Sequence, residues 1–286
     1  MPRRWLVVAF VLLVLTVLVG LLIVGLVGQR ANQNRVYSLN NMRELGQFAL
    51  LATRPDDFNP LGQGKDAEIA RMKNLTAPGA IPAGTLPNEK LKPEERLSWI
   101  PLALPYLNQR RQDTNELVTG LDRTVAWDAT ANLNYSRTVI RSLIPTAIND
   151  KPDSRQPAPT YYLGNGGIGP DGATLLASHA RAGCFRYDKA TPFAEIGDGL
   201  HESILFVETA SKIGPWLQGG PSTIRMLDVS LPIFGPTGQF GGVHTGYSVF
   251  GYADGSAGVH TDRTDTSVIR ALFTINGGQS DPLPGE

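Results

Sequence analysis

The sequence predicts an α+β protein in which a long N-terminal helix, half of it in a membrane, packs its outer half against an antiparallel sheet. Three observations carry that prediction. Residues 5–27 read WLVVAFVLLVLTVLVGLLIVGLV without a charge, and about 20 such residues span a hydrocarbon core at roughly 1.5 Å per residue. An amphipathic pattern continues past that run. Beyond Thr160, short alternating apolar runs sit between turn residues, in a 286-residue chain with 31 Gly and 21 Pro.

A cleaved secretory signal has an apolar region of only about 7–15 residues. This run is longer, and Gly28-Gln29-Arg30-Ala31 lacks the usual small-x-small cleavage pattern, so residues 1–28 read as a short tail and a permanent anchor. Arg3 and Arg4 precede the span, and Arg30 and Arg35 follow it. Counting both flanks favours a cytoplasmic N-terminus, with the rest on the extracytoplasmic, periplasmic side. Residues 29–53 continue the helix: Val36, Leu39, Met42, Leu45 and Phe48, widened by Ala49 and Ala52, form one apolar stripe. Arg43, Glu44 and Gln47 fall elsewhere, and Pro55 with the two acids after it ends the helix.

Residues 54–155 read as a loop and helical insertion. A short helical signal lies at Asp66–Lys73, and Pro93-Glu94-Glu95 opens a second helix, because proline loses no bond in a first turn and acids suit the positive end. Leu97, Ile100, Leu104 and Leu107 give it an apolar face that Pro101 and Pro105 must bend. A third helix is expected at Ala129–Ser142, and the polar, proline-rich Asn149–Pro159 marks a boundary. Residues 156–286 form the β-rich head, with strands expected at Ser203–Glu208, Thr223–Asp228, Tyr247–Ala253 and Ser256–Thr261. Asp254-Gly255 supplies the positive φ angles of a tight hairpin turn, and Asp265 caps a helix at Thr266–Phe273.

Charge and cysteine narrow the function. With 26 basic and 26 acidic residues the net charge is zero, which argues against nucleic-acid binding and removes bulk attraction to anionic lipid or acidic substrates. One cysteine, Cys184, makes no intrachain disulfide and reads as a buried small hydrophobe. The four histidines, His179, His201, His244 and His260, show no metal-ligand spacing. His244 and Asp254 can meet across a hairpin, either to serve an envelope hydrolase or to fix the hairpin end. Asp171, Glu195, Asp198, Glu202, Glu208 and Asp228 could converge on calcium, although no EF-hand run is present. Gly164–Gly169 lacks the Lys-Ser/Thr of a phosphate loop and reads as a flexible loop. Trp99 lies on an apolar helix face and reads as core. Trp216, in GPWLQGG, is the candidate binding aromatic for a carbohydrate- or solute-binding module.

His244, nine residues, then Asp254-Gly255, in the frame GGVHTGYSVFGYADGS, resemble the signature of the bacterial "prepilin-type processing-associated H-X9-DG" family, a domain of unknown function. NNMRELGQFAL, IPAGT, RLSWIPLALPYLNQ, YYLGNGGIGPDGATL and RAGCFRYDKATPFAEIGDGLHESILFVET are similar to its other blocks, in order. The resemblance implies a pilin-like architecture and a pseudopilin-like envelope protein with protein partners, and some pseudopilins carry a calcium loop; from the residues themselves no enzyme activity, no catalytic residue, no metal and no cofactor are expected. His244, Asp254 and Gly255 are then its motif residues. Two departures matter. No Gly-Phe junction precedes the apolar run, and no glutamate precedes Glu44, so peptidase processing and filament assembly are not expected. Where relatives carry Cys-Pro near the third helix, this chain reads Leu143-Ile144-Pro145.

Overall fold

The computed structural model describes residues 2–51, 79–107, 117–235 and 237–277; the helical signal at Asp66–Lys73 lies outside them. A single unbroken helix, α1 (Pro2–Leu51), opens the chain. Trp5 and the large apolar side chains from Val7 to Val27 are 40–76% exposed. A core helix of a soluble protein buries such residues. By length and apolarity α1 can cross a membrane.

The outer end of α1 packs on a five-stranded sheet: β1 (Tyr162–Ile168), β2 (Ile204–Glu208), β3 (Ile224–Leu227), β4 (Tyr247–Tyr252) and β5 (Ala257–Thr261), in the order β3-β1-β2-β4-β5. Three neighbouring pairs are antiparallel. The β1–β3 pair is parallel, so the sheet is mixed rather than wholly antiparallel. Alternation along each strand splits the core. On β4, Val249 faces the α1 side, and Phe250 faces a second cluster closed by Ile233, Phe240, Ile269 and Phe273. Ile269 lies on a short helix, Thr266–Leu272, whose cap Asp265 accepts from the Ser267 N–H at 2.8 Å.

On α1 the buried stripe is Ser38, Met42, Leu45, Gly46, Phe48 and Ala49. Val36 is 48% exposed and does not belong to it, and Ala52 lies outside the described residues. Steps of three residues precess about 60° per step around a helix of 3.6 residues per turn. A stripe begun at Val36 therefore drifts off the contact line that Ser38, Met42 and Gly46 hold at steps of four.

The insertion is less helical than its pattern suggests. Pro93–Glu95 makes one 3-10 turn, Ile100–Ala103 one α turn, and Leu104–Tyr106 another 3-10 turn, because Pro101 and Pro105 supply no N–H to extend a ladder. The third helix covers Thr130–Ser136 and resumes as a 3-10 turn at Arg141–Leu143. Trp99 is buried there, 5.9 Å from the Phe48 ring, 5.4 Å from Phe185 and 5.0 Å from Phe206. Its indole N–H donates to the Thr223 carbonyl. The helix α1, the insertion and the sheet thus share one aromatic cluster.

The glycine-rich stretch expected as a loop is strand β1, buried throughout. A Cβ on Gly164 would lie 2.6 Å from Phe185 and 2.7 Å from Ile224, so glycine lets those side chains close over the sheet. Asn165 is satisfied without water: its amide donates to the carbonyls of Ile204 and Phe273.

Leu45 is fully buried between α1 and the sheet. Leu45→Asp removes about 2–5 kcal/mol of apolar packing and adds an unpaired charge, so the head is expected to lose its cooperative thermal transition. A normal melt of that variant contradicts the packing.

Candidate functional site

The two ends of the H-X9-DG stretch dock on one face of α1. At the end nearer the apolar run of α1, the His244 Nε2 lies 3.1 Å from Ser38 Oγ and 3.0 Å from Glu208 Oε2. Glu208 closes β2, and its side chain is 0% exposed against 4% for His244. Its Oε2 touches the imidazole edge without hydrogen-bond alignment, and Oε1 receives no hydrogen bond. Tyr162 stands beside it. Asn41 Nδ2 donates to the Tyr162 Oη at 3.3 Å, and burial, then the charge of Glu208, push the phenol well above its ordinary pKa. Tyr247 stacks on the His244 ring at 4.5 Å and 10°, and the Arg35 guanidinium lies 6.0 Å from the Tyr247 centroid.

At the far end, the hairpin turn meets the same helix two turns later. Gly255 adopts φ +83, and its N–H donates to the Tyr252 carbonyl. Among the described non-glycine residues only Lys212 has positive φ, so Asp254 does not. The turn is therefore one ordinary turn ending in a left-handed glycine, not the tight two-residue turn expected. A Cβ on Gly46 would lie 2.7 Å from Gly255 Cα, and a Cβ on Gly255 would lie 2.8 Å from Leu50 Cδ1. Between these ends a Cβ on Gly251 would lie 2.7 Å from Met42. Ser38, Met42, Gly46 and Leu50, at steps of four, thus meet His244, Gly251 and Gly255 in turn.

Ser, His and Glu are triad residue types, but their geometry is not a triad's. An acyl-transfer triad places nucleophile and acid on opposite imidazole nitrogens, whereas Ser38 and Glu208 both approach Nε2. Ser38 is also fully buried. His244 and Asp254 stand beyond opposite ends of β4, and the Asp254 carboxylate accepts from the Ser256 N–H at 2.8 Å. The pairing expected of a hydrolase is not made.

Trp216 is fully buried, with its indole N–H donating to the Thr138 carbonyl at 3.0 Å. No ring face is left for a sugar to stack on. Its glycine and proline neighbours signalled a loop correctly, but the loop folds the indole inward.

Among the described residues, no three His, Cys, Asp or Glu side chains come together as metal ligands. The six acids are engaged separately. Asp171 takes two bonds from Arg181, which hold its carboxyl below the usual range. Glu195 lies 3.7 Å from Arg186, and Glu202 3.4 Å from His201. Asp198 accepts from the Gly277 N–H, Asp228 from Ser230, and Glu208 faces His244. A cavity of about 550 Å³ lies elsewhere, beside Leu176, Arg186, Glu195 and Asn276. Its polar groups already serve the fold: Arg186 bonds Thr191 and the Ala190 carbonyl, and Asn276 bonds the Ala177 and Glu195 carbonyls. Cys184 is buried, which raises its thiol pKa.

Sequence reasoning missed Ser38, Asn41, Tyr162, Gly46 and Gly251 as parts of this site. One signal was available: Glu208 ends ILFVE, a run otherwise wholly apolar, and an acid inside a buried strand requires a partner.

His244→Ala leaves the Glu208 carboxyl buried without its imidazole partner and is expected to cost about 2–5 kcal/mol. Glu208→Gln added to that variant recovers part of the loss, and chemical denaturation of the four-membered cycle measures it. Gly46→Ala forces two backbones apart and costs about 1–3 kcal/mol, while Gly20→Ala, with open space around it, leaves the head's melt unchanged. Comparison of the chain with models of protein families, with curated proteins and with solved structures finds no match.

Proposed function

We propose that the chain is a non-enzymatic, single-pass membrane protein of pseudopilin-like type, which holds an interaction head on the extracytoplasmic side for protein partners in the envelope. The observation that carries this reading is the division of α1: Trp5 and the large apolar side chains of residues 7–27 are exposed, and Ser38–Ala49 form the spine of the head within the same unbroken helix. The resemblance to the H-X9-DG family adds support, because both ends of that stretch grip the spine. Nothing in the geometry favours the rivals. The hydrolase pair is separated, and the carbohydrate aromatic is buried.

The continuity of α1 from the apolar run into the head's core supports a retained anchor over a subunit released into a filament. Membrane fractionation with N-terminal sequencing of the mature chain tests this. The expected result is recovery with the membranes through high-salt washing, with Met1 or Pro2 first. A start within residues 5–30, or a freely soluble chain after gentle lysis without detergent, overturns it.

A further inference from the structure

We propose that the collar where α1 leaves the membrane, built on Arg30 and Arg35, binds the phosphates of anionic lipid headgroups. The inference rests on the anchor reading above and extends it to a specific lipid surface.

The spacing along α1 comes first. Val27 ends the uncharged run, and Thr146 Oγ1 meets Asn34 at 3.1 Å, close to where the head's contacts with the helix begin. Seven residues of helix rise about 10 Å. The headgroup layer on each side of the hydrocarbon core is about 5–8 Å thick. The head therefore begins where the headgroups end, with no stalk between them.

Charge comes second. From Trp5 through Met42 only Arg30 and Arg35 are charged, and no acid precedes Glu44. Both arginines are exposed. They stand three and eight residues past Val27, about 4.5 and 12 Å along the axis. Arg30 thus lies within the headgroup layer, and Arg35 can reach back to it. Five residues apart, they face different sides of the helix and form a collar rather than a stripe.

Orientation comes third. The Arg35 guanidinium lies over the Tyr247 ring, Tyr247 stacks on His244, and His244 is held by Glu208 and Ser38. The buried cluster fixes the tyrosine that Arg35 rests on, so less side-chain freedom is lost when a phosphate is bound. A guanidinium fork also matches phosphate geometry. With a net charge of zero the chain has no long-range pull toward anionic lipid, and the selectivity is local to this collar.

The test uses the full chain reconstituted in dioleoylphosphatidylcholine vesicles at low salt. Spin-labelled phosphatidylglycerol and spin-labelled phosphatidylcholine report which lipid the protein selects for its first shell. The wild type is expected to prefer phosphatidylglycerol, by up to roughly fivefold for each arginine engaged. R30A/R35A brings the ratio near one while keeping the wild-type head melt. R30K/R35K, which keeps the charge without the fork, falls between the wild type and R30A/R35A, and Lys189→Ala, exposed and far from the collar in sequence, changes nothing. Equal association of the two lipids with the wild type, or an undiminished preference in R30A/R35A, overturns the proposal while leaving the anchor reading standing. Failure of the chain to enter the vesicles overturns both.

Discussion

The fold depends on how closely two backbones approach one another. Gly46 of the long helix and Gly255 of the hairpin turn meet without a side chain between them, and a single added methyl on Gly46 would lie 2.7 Å from Gly255 Cα. Helix backbone cannot move aside as a long side chain does, so this contact fixes where the sheet sits on the helix. Met42 against Gly251 and Ser38 against His244 extend it one turn at a time toward the membrane. The nine residues between the histidine and the Asp-Gly are thereby explained: they carry strand β4 from one grip on the helix to the other.

The two grips differ in chemistry. The glycine end is a matter of shape. The histidine end buries an acid and an imidazole together, with Tyr162, Ser38 and Asn41 around them. A buried polar contact adds little net stability, yet leaving one of its partners unsatisfied is costly. Such a pair penalises wrong registers of helix on sheet more than it strengthens the right one. The aromatic cluster of Phe48, Trp99, Phe185 and Phe206 supplies the non-directional part of the packing, and it draws the insertion into the same core.

Much of this was legible in the residues because it follows from periodicity and turn chemistry. The membrane-length run, the helix through Leu51, four of the five sheet strands and the Asp265-capped helix all carry local signals. Three features did not. Gly164–Gly166 looks like a loop because glycine is ordinarily a breaker, but here its missing side chain makes room for Phe185 and Ile224, partners distant in sequence. Trp216 sits among loop residues, and whether a loop turns its indole in or out is decided by the Thr138 carbonyl, far along the chain. The sequence lets His244 meet Asp254, its near neighbour, but the partners it finds are Ser38 and Glu208. Those contacts arise only once the helix lies across the sheet. Local order is written locally, whereas partners brought together by docking are not.

One measurement reaches the central claim, that a single rigid helix is both anchor and spine. Gln29 and Gln47 are exposed on α1, on either side of its junction with the head, and the lone cysteine, Cys184, is buried away from labelling reagent. Spin labels placed at those two positions in the membrane-reconstituted chain should give one narrow distance distribution near 27 Å, the rise of 18 helical residues at about 1.5 Å each. A broad or markedly shorter distribution would reveal a hinge between membrane and head, and would contradict the account.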